Sequence, residues 1–144
     1  NREEKLEAYK SVTECSNNKE LSELELDWTN RYGVLPKPVD SLINLMKLKL
    51  LAKKCGFNKI KVKKPNVIIE TRLKISTFKL IKKGLPKSIQ SKFNFQEDDH
   101  FSKITIRGLG VIDIQNQIDQ LMYWFGLFVN EINNFDKNTK VKDI

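Results

Sequence analysis

At Gly56 the hydrophobic period of this chain changes, and that change limits its fold more than any other feature. Before it, Val39, Leu42, Ile43, Met46 and Leu50 recur at helical spacing, widened by Leu45, Leu48 and Leu51. After it, Lys59-Ile60-Lys61-Val62-Lys63 alternates charge with β-branched residues, the pattern of a strand with one wet face. A Lys64-Pro65-Asn66 turn and a second apolar run, Val67-Ile68-Ile69, complete a hairpin. Helices in one block and strands in the next, without regular βα alternation, predict an α+β chain.

The remaining segments fit that class. Arg2 to about Glu14 reads as a helix, with Glu3 and Glu4 at its positive end and Leu6, Tyr9 and Val12 or Thr13 along one side. Asn17, three residues before Glu20, forms a capping-box pattern and opens a second helix carrying Leu21, Leu24 and Trp28 to about Asn30. Gly33 stands where a helix end needs positive φ, and Pro36 prevents continuation. Pro38 restarts the helical pattern, and Gly56 ends it after Lys53 and Lys54. A short helix from about Thr77 to Lys83 stops at Gly84 and Pro86. Phe93 and Phe95 mark a third strand, Glu97-Asp98-Asp99 a turn, and Ile104 and Ile106 a fourth strand. Beyond Gly108 and Gly110, the residues Ile118, Leu121, Met122, Phe125, Phe128, Val129 and Ile132 trace one face of a helix of about six turns. The expected architecture is N-terminal helices, a small antiparallel sheet of about four strands and a long C-terminal helix. One domain over residues 1–135 is expected, with residues 136–144 as a frayed tail.

Charge is distributed unevenly. Residues 1–36 carry 5 basic and 8 acidic side chains, residues 37–107 carry 18 and 5, and residues 108–144 carry 3 and 5. The basic middle, with Lys59, Lys61, Lys63 and Lys64 at its centre, defines a candidate nucleic-acid surface. Lysine outnumbers arginine heavily, however, and bidentate phosphate or base recognition favours arginine. Solvated lysines on helix and strand surfaces are the plainer explanation.

Signs of catalysis are missing. The chain contains no GxxxxGK[ST] phosphate loop, and Gly108-Leu109-Gly110 lacks the third glycine of a dinucleotide fingerprint. The single histidine, His100, follows the acidic turn, and Cys15 and Cys55 stand far apart with no partner at metal-ligand spacing. Three consecutive acids, Glu97 to Asp99, lack the alternating spacing of a calcium loop. No catalytic, cofactor or metal residues are expected. The longest apolar stretch, Leu121 to Val129, is too short to span a bilayer, and no leader pattern is present, so a cytoplasmic protein without a membrane partner is expected.

Three blocks occur in order: Leu6-Glu7-Ala8-Tyr9-Lys10, then Asn30-Arg31-Tyr32-Gly33-Val34-Leu35-Pro36, then Leu48 to Phe57 with its lysines and Gly56. They resemble the C-terminal domain of the bacterial transcription-repair coupling factor family, with its leucine-rich first helix, its Asp-Arg-Phe-Gly-x-Leu-Pro turn and its basic third helix. Lys103 to Gly110, followed by a long helix with Trp124, resembles the cyanobacterial members. Asn30 replaces the usual Asp, which keeps turn chemistry but loses a charge, and Tyr32 replaces Phe and should preserve its packing. Arg31 is expected to make a contact across the turn. The resemblance implies a parent protein that uses an ATP-driven, helicase-like motor on DNA to displace stalled RNA polymerase. It also implies recruitment of excinuclease A, the damage-recognition component of excision repair, with this domain lying against an N-terminal excinuclease-B-like module and masking it.

Overall fold

The computed structural model describes residue 7 and residues 10–142, with side chains described through residue 136. The chain is α+β and divides into two compact units, Asn1–Leu50 and Leu51–Ile144.

The first unit is helical. Residue 7 and residues 10–14 belong to α1; the other positions of the expected first helix, Leu6 and Tyr9 among them, lie outside the described residues. Helix α2 (Asn18–Tyr32) begins as its sequence requires, the Asn17 side chain accepting a hydrogen bond from the Glu20 amide at 2.9 Å. The Glu20 carboxylate reaches one residue further back than a standard capping box, accepting from the Ser16 amide at 2.8 Å and its hydroxyl at 3.1 Å. Helix α3 (Lys37–Lys54) starts from the Pro36 carbonyl, which accepts from the Val39 and Asp40 amides, and its residues to Leu50 complete the unit. Val12, Leu21, Leu42, Ile43 and Met46 form the core, with Leu24, Trp28, Leu35, Val39 and Leu50 packed against it. Each large apolar side chain fully removed from water there contributes about 2 kcal/mol. Leu45, expected to widen the buried stripe, is instead exposed, because 100° per residue carries it to the flank of the Leu42–Met46 face.

The second unit is built on a four-stranded antiparallel sheet in the order β1-β2-β4-β3. Its strands are β1 (Phe57–Lys63), β2 (Asn66–Thr71), β3 (Phe93–Gln96) and β4 (Ser102–Ile106). Strand β1 begins two residues earlier than the charge alternation shows, because Phe57 is buried and a register shift separates it from Lys59. Between β2 and β3 lie α4 (Ile75–Lys83) and α5 (Lys87–Gln90). The sequence did not announce α5: Pro86 ends one helix but also opens the next, its carbonyl accepting from the Ile89 and Gln90 amides, and Ile89 is buried. After a 3₁₀ turn (Leu109–Val111), α6 runs from Ile114 to Lys142, capped by Asp113, whose carboxylate accepts from the Asn116 amide at 2.9 Å. Residues 143–144 of the expected tail lie outside the described residues.

One face of the sheet is apolar because pleating sends alternate residues to the same side. Paired rows Ile60↔Ile69↔Ile104↔Phe95 and Val62↔Val67↔Ile106↔Phe93 share this side, buried in the central strands β2 and β4 but with Val62 exposed at the β1 edge. Against them pack α4 and α6 through aromatic contacts: Phe57 with Phe125 and Phe128, Phe78 with Phe95 and Phe128, and Phe93 with Trp124. Ile118, Leu121, Trp124, Phe125 and Phe128 are the buried apolar residues of α6. No helix among the described residues is long and apolar enough to cross a membrane.

Candidate functional site

Two surfaces marked by the sequence can be located, one in each unit. The first is the turn Asn30 to Pro36. Helix α2 ends at Tyr32, and Gly33 takes φ 77° and ψ −142°, with its amide donating to the Thr29 carbonyl at 2.9 Å. Positive φ was the expected geometry, and this ψ lies outside even the left-handed helical basin, in a region populated essentially by glycine. Arg31 makes its contact along the helix: its Nε lies 3.3 Å from Asp27 Oδ1, with both side chains at least half exposed. Such a pair contributes less than about 1 kcal/mol.

Two expectations for the turn need correction. Asn30 makes no side-chain hydrogen bond among the described residues, since the Gly33 backbone amide closes the helix in its place. Tyr32 does not pack: it is 69% exposed, because the chain departs at Gly33 and the inward positions are taken one turn earlier by Trp28 and after the turn by Leu35. With Val34 95% exposed and Leu26 62% exposed, the end of α2 presents three large apolar side chains to solvent. Leu26 has Glu23 and Asn30 as neighbours on the outer helix surface. The sequence signal for this surface was weak, because an isolated Leu on an acidic helix face resembles a core position until the core is seen.

Replacing Gly33 with Ala is expected to cost the first unit about 1–3 kcal/mol. No atom lies within 4 Å of the added Cβ, so the loss is one of backbone conformation alone. Gly33→Asn should be no better, as asparagine tolerates the left-handed helical basin and not this ψ. Urea unfolding followed by Trp28 fluorescence in a Trp124→Phe background measures both, and an unchanged midpoint would contradict this geometry for the turn.

The second surface is the basic hairpin. Lys59, Lys61 and Lys63 all lie on the outward side of β1, exposed, while Lys64 leaves this row for the Lys64-Pro65 turn. Lys61 pairs with Glu70 across the ladder at 3.1 Å. Lys103, on the same outward side in register with Glu70, belongs with them, and only strand pairing reveals it.

His100 and the acids before it are exposed in the β3–β4 turn, and no group of three or more metal-ligating side chains is assembled among the described residues. Cys15 is half-buried in the first unit and its thiol is raised by burial and by Glu20 and Glu14. Burial pushes the Cys55 thiol up to about 12, so it stays protonated at neutral pH, within 3.5 Å of the Phe125 carbonyl.

The TRCF domain family model matches residues 1–79, more than half of the chain and inclusive of the Gly33 turn and the basic hairpin. The chain belongs to the TRCF domain family. It is 29% identical over 66 residues to the transcription-repair-coupling factor of Escherichia coli (strain K12), a stretch amounting to 46% of this chain and 6% of that protein. The TRCF assignment extends to the fold. A crystal structure of the C-terminal domain of transcription-repair coupling factor superposes with a TM-score of 0.68, covering 91% of this chain and 82% of that one at 14% identity. The family match in sequence covers residues 1–79, and the likeness in fold extends over 91% of the chain.

Proposed function

We propose that this TRCF domain is a non-catalytic autoinhibitory clamp of a transcription-repair coupling factor. Docked, it covers an N-terminal excinuclease-B-like module of the parent protein; released, it exposes that module for recruitment of excinuclease A. The parent would supply the ATP-driven motor, the DNA contacts and the encounter with stalled RNA polymerase. The observation carrying this reading is the apolar surface at the family turn: Leu26, Tyr32 and Val34 are exposed in a unit small enough that each would stabilise the core if buried. Exposed apolar side chains grouped at one helix end suit a partner with an apolar patch of its own. Control requires little energy, since about 2.8 kcal/mol of change in docking alters the exposed population about 100-fold.

The test is a calorimetric titration of the 144-residue chain into the isolated N-terminal module. Saturable one-to-one binding is expected, weakened at least tenfold by the Leu26→Ser/Val34→Ser double variant and little affected by moderate salt. No heat of binding, or binding indifferent to the double variant, would remove the basis for this docking face.

A further inference from the structure

Among the described residues, the aromatic contacts of α4 and α6 with the sheet all fall on its first face. Strand register aligns the outward residues of the second face in rows: Lys61, Ile68, Thr105 and Asn94 in one, and Lys59, Glu70, Lys103 and Gln96 in the next, with Lys63 beyond them opposite Asn66. Four lysines therefore share this face with one carboxylate. Glu70 is engaged by Lys61, which leaves Lys59, Lys63 and Lys103 without an ion pair among the described residues. One step past the last β2–β4 pair, Thr71↔Ser102, both of which point inward, Arg72 lies over the half-buried Phe101 ring at 5.1 Å from its centroid.

We propose that this face binds single-stranded nucleic acid, its phosphates on the lysines and a base against the Phe101–Arg72 pair. Edge protection accounts for lysines on β1, an edge strand. It does not account for Lys103, because β4 is hydrogen-bonded on both sides and has no edge to guard. Alternate residues of a strand place lysines about 6.7 Å apart in a straight row, which follows an extended charged backbone. A half-exposed aromatic ring with a guanidinium beside a row of cations is the combination that holds unstacked bases. A duplex is the poorer match: its major groove admits a helix or a two-stranded ribbon, not a four-stranded sheet, and its bases are unavailable to Phe101. An acidic peptide would have no use for the ring.

Fluorescence anisotropy of a labelled oligothymidine of about 20 nucleotides with the whole chain tests the proposal, with a duplex of equal length and polyglutamate as comparisons. Single-strand binding is expected with a log–log salt slope of about −3, for about four phosphate contacts. Lys59→Gln/Lys63→Gln/Lys103→Gln should weaken it at least tenfold and flatten the slope toward about −1, while the corresponding triple arginine variant retains it. Phe101→Leu should weaken binding at least fivefold with the slope unchanged. A charge-matched control at and along α4, Lys74→Gln/Lys79→Gln/Lys83→Gln, should change affinity less than twofold. Equal losses in both glutamine triples, duplex binding as tight as single-strand binding, or displacement by equivalent polyglutamate charge would each overturn the assignment. The sheet face lies in the second unit and the exposed turn in the first, so this test and the clamp titration fail separately.

Discussion

Phe125→Ala is expected to cost the second unit about 3–5 kcal/mol. Phe125 is fully buried and meets Phe57 edge-on at a centroid distance of 5.0 Å; Phe57 in turn lies 5.1 Å from Phe128. Its truncation removes the transfer energy of the ring and opens a cavity walled by sheet on one side and helix on the other, neither of which can collapse without breaking hydrogen bonds. For a unit of this size the thermal midpoint should fall by roughly 20 °C. Trp124, on the same helix and against Phe93, reports the transition in a Trp28→Phe background. A loss under about 1 kcal/mol would mean that Phe125 is not the centre of this core.

Gly110→Ala should cost about 2–4 kcal/mol, although it adds one methyl group. The added Cβ would lie 2.7 Å from the Asn66 carbonyl oxygen and 3.0 Å from the Pro65 carbonyl carbon and oxygen, all backbone atoms that no rotamer change can move. The Gly110 amide also donates to the Pro65 carbonyl at 2.9 Å, so relief by separation costs that hydrogen bond. Gly108 supplies the contrast. Its φ of 78° and ψ of −11° are left-handed helical and no atom lies within 4 Å of a Cβ there, so Gly108→Asn should cost only a few tenths of a kcal/mol. Urea midpoints of the two variants measure the difference; comparable small losses would show that the hairpin tip yields easily.

Much of this chain was legible because its signals are local. The Asn17 cap, the Gly33 stop, the strand alternation at Lys59 to Lys63 and the apolar stripe of α6 each depend on residues within a turn or two of one another. The misreadings of burial have one origin. Tyr32 and Leu45 are apolar and correctly spaced, yet exposed, because burial depends on what stands opposite a residue. Short α5 was missed because Pro86 carries the same local signal whether it ends a helix or starts one.

The candidate surfaces divide similarly. Residue order alone is enough for the family turn, the α+β class and the lysines of β1, since propensity, period and glycine or proline geometry act along the chain. Neither the strand order β1-β2-β4-β3 nor the company of Lys59, Lys103 and the Arg72–Phe101 pair on one face can be read that way. Those depend on hydrogen-bond register between strands distant in sequence, and register is set when the apolar face of the sheet closes on Phe125 and Phe128.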